Sequence, residues 1–369
     1  MVERDGGRDG GGRDDGGAAT ASIADVGAAA GVSRQTVSNV LNAPHRVRPE
    51  TRERVEAAIE SLSYQPNRAA QALRAQAARV IGYRIEPMHA GSLTTVQDRF
   101  LHALAEAVQV IDHYLLVFTV DDPDDEIGTY ARLHRTGAVD AFVLDGMGGG
   151  DPRPDQLVRL GVPFAAFGRT GHHSYHLWVD IDDPAGTAAA TRHLLARGHR
   201  RIGFIGWPEG SGVGDRRAAG WRTTLDEHGL LADCADLDLR GEDAVANGAR
   251  LAAILLDRPH PPTAVMAVSD TLAVGTMQAA RDRGIVVGRD LAVVGFDDTP
   301  TAGVFDLSSV RQPLEAVARC LVRALLPRLP AGGSYPLADP GEPMAEPAGG
   351  LLLAPTLVVR ASSAAAAPR

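Results

Sequence analysis

Two groups of residues in this chain have the types and spacing to do chemistry. From Ser33 to Asn42 it reads Ser-Arg-Gln-Thr-Val-Ser-Asn-Val-Leu-Asn. Arg34 can bond a guanine edge in bidentate fashion, and Gln35 or Asn39 can do the same to adenine, with Thr36 and Ser38 adding short hydroxyl donors beside them. The alternative for all five is the polar outer face of any small helical bundle. The second group is dispersed. Arg169, Ser269-Asp270 and Asp297 each follow a predicted strand, and Arg217 opens a helix just after the glycine-rich turn at 210–214. Ligands of open α/β sheets sit at the carboxyl ends of strands, so these residues point at one cleft. An Arg fork beside a carboxylate offers both donors and acceptors, which suits the hydroxyls of a sugar. For Arg217 and Asp297 the competing reading is a salt bridge between lobes, and for Asp270 it is a structural post at a strand end. Trp178, Trp207 and Phe296 can supply an apolar wall or equally be core. Trp221, at an inward helical spacing, reads as packing.

Other combinations do not add up to a site. Asp121-Asp122-Pro123-Asp124-Asp125-Glu126 lacks the spacing and glycine of a calcium loop. The run Gly146-Met147-Gly148-Gly149-Gly150 lacks the Gly-Lys-Ser/Thr of a phosphate loop and the spacing of a dinucleotide fingerprint. His172, His173 and His176 cluster without matching metal partners, and no serine sits in an elbow motif. Cys234 and Cys320 are too few for a disulfide scaffold or a thiolate zinc site and read as buried thiols. These readings predict no catalytic residues, no metal and no cofactor, so not an enzyme.

The elements that must position the two groups differ in kind. Residues 1–21 are Gly, Asp and Arg steps with almost no bulky apolar side chain, which predicts a disordered tail. Ser22 then caps a helix with Ile23, Val26 and Ala30 on one face, Gly31-Val32 makes a turn, and Ser33 caps a second helix lined by Val37, Val40 and Leu41. A third begins at Pro49 and turns Val55, Ile59 and Leu62 inward. Three short helices with a glycine turn describe a helix-turn-helix head over 22–66, whose second helix enters the DNA major groove. Residues 67–78 form a short helix and linker. Strand–helix alternation follows, with strands predicted at 80–85, 114–120, 139–144, 163–167, 202–206, 264–268, 291–296 and 357–359. That is too much for one doubly wound sheet and predicts a two-lobed α/β body over 79–360, with a loop at 331–350 and a disordered tail at 361–369. All 37 basic residues are arginine and the net charge is −9, yet residues 22–76 carry seven Arg against five acids: a mildly basic head on an acidic body. No apolar run long enough to span a membrane occurs, and the start has no apolar signal core, which predicts a soluble cytoplasmic protein.

Residues 23–42, from Ile23-Ala24-Asp25-Val26 to Val40-Leu41-Asn42, closely resemble the head of the lactose/galactose repressor (LacI/GalR) family. So do Thr51-Arg52-Glu53-Arg54-Val55, Leu62-Ser63-Tyr64-Gln65-Pro66-Asn67 and Val80-Ile81-Gly82-Tyr83. Gly198-His199-Arg200-Arg201-Ile202, Arg217-Ala218-Ala219-Gly220-Trp221 and Val293 to Asp298 resemble its periplasmic-binding-protein-like effector body. The resemblance implies that Arg34, Gln35 and Asn39 read bases. It implies that Ser33, Thr36, Ser38 and Asn42 hold phosphates or cap the helix. Asn67–Arg74 would be a hinge helix that orders on DNA, with Leu73 wedged into the minor groove. In the body it implies that Arg217 and Asp297 hold vicinal oxygens of an effector, with Asp243 a weaker pocket position. The implied protein is a transcriptional regulator, usually a repressor. It would bind a palindromic double-stranded operator as a homodimer under control of a mono- or oligosaccharide. The alternatives are a sugar receptor with no DNA role and a corepressor-dependent regulator that senses a nucleoside or other metabolite. Two departures stand out: Gly27 replaces a usual Ala inside the first helix, and Arg48 stands where Ser or Thr commonly caps the third.

Overall fold

The structure is a computed structural model that describes residues 21–65, 77–85, 95–120, 122, 125–170, 176–330 and 350–364. Residues 1–20, Asn67, Leu73, His172 and His173 lie outside the described residues. The chain divides into two units, the first ending at Ala75 and the second starting at Gln76.

The first unit is three helices, α1 (Ile23–Ala30), α2 (Arg34–Asn42) and α3 (Pro49–Ser61). Ser22 and Asp25 form a reciprocal capping box at α1, and Gly31 closes the helix in the left-handed conformation at φ 64°. Val26, Ala30, Val37, Val40, Val55, Ala58 and Tyr64 make its core. Leu62, read as inward, is 36% exposed; Ala58 and Tyr64 fill the space instead. The Gly27 departure has a packing reason. A Cβ there would meet the Val32 carbonyl oxygen at 3.0 Å, because the chain after α1 folds tightly back on the helix. Arg48 makes no side-chain cap on α3, so that helix starts on Pro49 alone.

The second unit contains two six-stranded sheets. The first comprises β1 (Val80–Arg84), β2 (Tyr114–Phe118), β3 (Ala141–Leu144), β4 (Phe164–Phe167), β5 (Trp178–Ile181) and β11 (Gly350–Leu353). Their order is β11-β5-β4-β3-β1-β2, parallel throughout. The second comprises β6 (Ile202–Gly206), β7 (Asp238–Arg240), β8 (Ala264–Ala267), β9 (Ala292–Asp297), β10 (Ser308–Arg311) and β12 (Thr356–Val358). Its order is β12-β10-β9-β8-β6-β7, with only the β10–β12 pair antiparallel. Parallel strands need crossover helices, and these cover both sheets. The first lobe holds α4 (Thr95–Val110), α5 (Glu126–Arg135), α6 (Arg153–Arg159) and α13 (Leu314–Leu325). The second holds α7 (Asp183–Ala196), α8 (Val213–Glu227), α9 (Leu231–Cys234), α10 (Val245–Leu256), α11 (Asp270–Asp282), α12 (Pro300–Val304) and α14 (Ala361–Ala364). Separate apolar clusters fill the lobes: Phe100, Leu104, Val317 and Leu321 in one, Phe204, Trp221, Leu272 and Phe296 in the other. The chain passes between lobes three times, at 181–183, 311–314 and 353–356.

Strands β5, β7, β10 and β11 were not among the predicted ones, and three boundaries shift. Asp140 accepts from the backbone N–H groups of Ala78, Arg79 and Val80, so residues 77–78 belong to the body rather than to a linker. Gly350 starts a strand instead of ending a loop. Residues 361–364, expected in a tail, form α14. Ser362 donates to the Val293 carbonyl at 2.6 Å and accepts from the Ser308 N–H, and both Ser362 and Ser363 are buried.

Two predictions follow from this packing. Arg48→Ser supplies the missing N-cap oxygen and should stabilise the head by about 1 kcal/mol, read by hydrogen exchange of the α3 amides. His199 is buried with Nδ1 2.9 Å from Thr263 Oγ1, and burial, reinforced by His193, pushes its pKa down to about 4. Its folded value therefore lies below the unfolded one of about 6.5. The stability it confers is complete above that value and is lost as the pH falls toward 4. Between pH 7 and 5 the loss should be about 2 kcal/mol. Urea unfolding of His199→Gln at both pH values should show correspondingly less acid sensitivity.

Candidate DNA-reading helix and effector cleft

In the head, α2 buries Val37 and Val40 and so turns the opposite face outward. Arg34 and Gln35 are exposed, and Thr36, Ser38 and Asn39 are half-buried. Ser33 is the N-cap: its Oγ accepts the Thr36 N–H at 3.1 Å and lies 2.9 Å from Thr36 Oγ1. Gln35 Nε2 donates to Asn39 Oδ1 at 3.0 Å, which aligns the two amides along one edge of the helix. Asn42 ends the helix; its side chain lies outside the described residues. Arg34, Gln35 and Asn39 are thus presented together on the first turns of a capped helix, the part of a helix that meets base edges.

In the body, a cavity of about 360 Å³ opens between the lobes at the carboxyl ends of both sheets. The first lobe contributes Gln97 and Phe100 from α4, Asp145 to Gly148 after β3, Phe167 from β4 and Asp180 from β5. The second contributes Trp207 after β6, Arg216 and Arg217 from α8, Asp243 after β7, Thr271 from α11, Asp297 from β9 and Gln312 after β10. At its centre is Arg217, which is 3% exposed. Its Nε donates to Asp183 Oδ1 at 3.0 Å, and its Nη1 donates to the Val268 carbonyl at 2.7 Å and to Asp297 Oδ1 at 3.2 Å. The guanidinium lies 3.6 Å above the Phe296 ring centroid and 5.3 Å from that of Trp207. Burial works against this charge, but Asp297 and Asp183 outweigh it and move its pKa up. Burial also pushes Asp297 up, against the pull of Arg217, and Asp270 and Asp243 add to the rise. Gln312 Nε2 donates to Asp297 Oδ1 at 2.6 Å.

Arg217 reaches this position because α7 and α8 approach closely. A Cβ on Gly220 would lie 2.3 Å from the Pro184 carbonyl oxygen, so only glycine lets the start of α7 pack against the middle of α8. The preceding residue, Arg216, extends the network to the other lobe. Arg216 bonds Asp183 Oδ2 through Nε and Nη2 at 3.2 and 3.1 Å, and its Nη2 lies 3.4 Å from Asp180 Oδ2. Burial pushes Asp180 up, with Arg216 opposing.

Five of the residues expected to bind effector do not line the cavity. Arg169 is drawn aside to Asp180 at 3.1 Å and stacks 5.5 Å from the Trp178 ring. Trp178 packs into the first lobe, its indole covering Gly350. Ser269 caps α11 and donates to Asp243 Oδ1 at 2.5 Å. Phe296 is wholly buried beneath Arg217. Asp270 is a post: it accepts from Ser309 Oγ at 2.5 Å and from the Thr299 N–H and Oγ1 at 2.7 and 2.9 Å, and so braces the loop that carries Asp297. Burial pushes Asp270 up to about 6, with Ser309 and Thr299 opposing. The lining residues Asp145, Asp180, Asp183 and Arg216 were not singled out, although each lies at a strand end or on a helix start facing it.

A helix-turn-helix head and a two-lobed body with a buried Arg–Asp pair in its cleft define a ligand-responsive DNA-binding protein. Residues 22–67 match the model of bacterial regulatory proteins of the lacI family, and residues 191–363 match a periplasmic binding protein-like domain. The transcriptional regulator AglR of Rhizobium meliloti is 34% identical over 83% of this chain and 87% of its own. The regulator CelR of Thermobifida fusca is 33% identical over 85% and 93%. The solved CelR–cellobiose complex superposes with a TM-score of 0.65 at 29% identity, covering 93% of this chain and 99% of that one. The chain belongs to the lacI family and is a DNA-binding transcriptional regulator. Among the described residues no helix is long and apolar enough to cross a membrane.

Asp270→Ala should destabilise the body by about 3–5 kcal/mol, because it strands three buried donors on Ser309 and Thr299. Asp270→Asn should recover part of that. Chemical denaturation of the two variants measures the difference.

Proposed function

We propose that the protein is a cytoplasmic repressor that binds a palindromic operator as a homodimer and is released by a sugar in the interlobe cleft. The observation that carries this reading is the buried Arg217–Asp297 pair, held ready at a cavity to which both lobes contribute. It offers the alternating donors and acceptors that adjacent sugar hydroxyls require, and Phe100, Phe167 and Trp207 provide apolar surface for a ring face. The CelR–cellobiose complex makes a β-linked disaccharide the first ligand to try. Arg34, Gln35 and Asn39 read base edges, while Ser33, Thr36, Ser38 and Asn42 position the helix on phosphates. Asn67 and Leu73 act at the minor groove between half-sites about one helical turn apart. Sugar and operator then oppose each other through a coupling of about 1–3 kcal/mol, a factor of roughly 5–150 in operator affinity.

Selection of bound duplexes from a random pool, with and without a panel of mono- and disaccharides, tests the reading. A palindrome should be enriched and lost with the correct sugar. Arg34→Ala should relax preference at one position in each half-site and cost about 1–3 kcal/mol in binding. Arg217→Ala should leave operator binding intact and abolish release. Failure to enrich any palindrome, or normal release in Arg217→Ala, refutes it.

A further inference from the structure

We propose that Arg153, which itself stands outside the cleft, is a positioning residue for the effector: it holds the glycine-rich loop after β3 in the shape that makes the first-lobe wall. The proposal rests on the cleft being the effector site. The run Gly146-Met147-Gly148-Gly149-Gly150 is no phosphate loop, yet it forms part of that wall. Asp145, Gly146, Met147 and Gly148 all line the cavity, and Arg153 does not. Gly146 and Gly150 adopt left-handed φ values of 62° and 77°, which suit glycine alone. At Gly148 and Gly149 neither a left-handed φ nor crowding calls for glycine, and an added Cβ would meet no atom within 4 Å. Glycine loses more conformational freedom on being ordered than any other residue, so such a loop keeps one shape only if something outside it holds it.

Arg153, the first residue of α6 and 9% exposed, supplies that hold. Its Nη2 donates to the Asp145 carbonyl at 2.8 Å, and the Gly146 carbonyl and Met147 Sδ lie 3.4 and 3.5 Å from the same nitrogen. The fork closes on Asp151, the residue after the run. Nε lies 3.1 and 3.0 Å from its two carboxylate oxygens, and Nη2 lies 2.7 Å from Oδ2. One guanidinium thus grips the loop at both ends. Nη1 donates to Glu126 Oε1 at 3.3 Å, and Arg84 Nε at the end of β1 pairs with that oxygen at 2.8 Å. The grip is therefore anchored to α5 and the sheet. Burial opposes the Arg153 charge, but Asp151 and Glu126 outweigh it and move its pKa up. Within the loop itself, the Gly150 N–H donates to the Thr170 carbonyl and the Asp151 N–H to the Gly148 carbonyl, both at 3.2 Å. A lysine can keep the charge, but one ammonium lacks the fork that spans Asp145, Asp151 and Glu126. A charge-assisted hydrogen bond is worth roughly 10–150-fold in the equilibrium it supports. Affinity then falls in proportion to the fraction of loops in the binding shape.

The test uses the full chain. Without ligand, Arg153→Lys should speed hydrogen exchange of the Gly150 and Asp151 amides about tenfold, and leave the β1 and β8 amides and operator affinity unchanged. Cellobiose, then the wider panel of mono- and disaccharides, is titrated by calorimetry. Arg153→Lys should weaken the binding member about tenfold, although the altered side chain lies outside the cavity. Asp151→Asn loosens the same fork from its other side and should weaken binding about threefold. Gly149→Ala in the Arg153→Lys background should recover a factor of about 2–5 by removing freedom from the released loop. In the wild type, whose loop is already held, Gly149→Ala should change nothing. A residue that merely stabilises the fold would not produce that split. Wild-type affinity in both Arg153→Lys and Asp151→Asn, or no recovery with Gly149→Ala, overturns the positioning role while leaving the cleft as the effector site, provided Arg217→Ala abolishes binding. No binding of any saccharide to the wild type, or binding that survives Arg217→Ala, instead overturns the reading of the cleft on which the proposal rests.

Discussion

A guanidinium cannot be buried without partners, and much of the body follows from the way Arg217 is held. Removing an ion of that size from water costs several kcal/mol unless it is paired and hydrogen-bonded. The partners come from separate elements: Asp183 from the start of α7, the Val268 carbonyl from the end of β8, and Asp297 from the end of β9, with Phe296 as the floor. Each must be delivered to within hydrogen-bond distance, which limits how the helices and sheet can pack. Gly220 follows from this requirement, since a side chain there would force α8 away from α7. So does the backbone of Asp297, at φ 108° in a region that side chains rarely occupy. Such strain costs about 1–3 kcal/mol and persists only where surrounding bonds enforce it. Asp270 and Gln312 supply those bonds.

The same network explains how the cleft can respond to what fills it. Asp180 is the penultimate residue of the first-lobe strand that leads into the first crossing, and Asp183 begins the first helix of the second lobe after it. Arg216 holds both, so a crossing of two residues is clamped by one side chain. Arg99 of α4 adds a weaker tie, its Nη1 lying 3.4 Å from the Asp297 carbonyl. A ligand between the lobes touches walls whose separation depends on these crossings. It therefore has different affinities for different lobe arrangements, which is the requirement for shifting a population.

The head was legible almost residue by residue, because caps, turns and helical spacing are local. Ser22, Gly31, Ser33 and Pro49 each act within four residues of their own position, and the structure places them accordingly. Leu62 was misread because helical phase alone put it inward, whereas Tyr64 folds back over the core. In the body, Arg217 and Asp297 could be found from strand–helix alternation. The strands missed are short: β5, β7, β10 and β11 are three or four residues long, two of them beginning or ending in charged residues that mask the apolar pattern. Asp180 went unseen with β5, since a residue near the carboxyl end of an unrecognised strand carries no signal. Asp270 and Ser269 were seen at the strand end, with a structural post standing beside ligand contact as the reading of Asp270. Motif position shows that a carboxylate stands at a strand end; whether it faces the cavity or the neighbouring loop depends on Ser309 and Thr299, some thirty to forty residues away.

Charge separates the two recognition tasks. The duplex is a polyanion, and the residues that meet it belong to the segment of the chain with more arginines than acids. The rest of the sequence is acidic, and the arginines of its cleft are paired with its own aspartates. A body of like sign to DNA adds no nonspecific attraction of its own, so affinity is left to phosphate contacts and base reading by the head. Burying Arg217 among carboxylates thus secures the fold of the cleft and keeps its donors aligned.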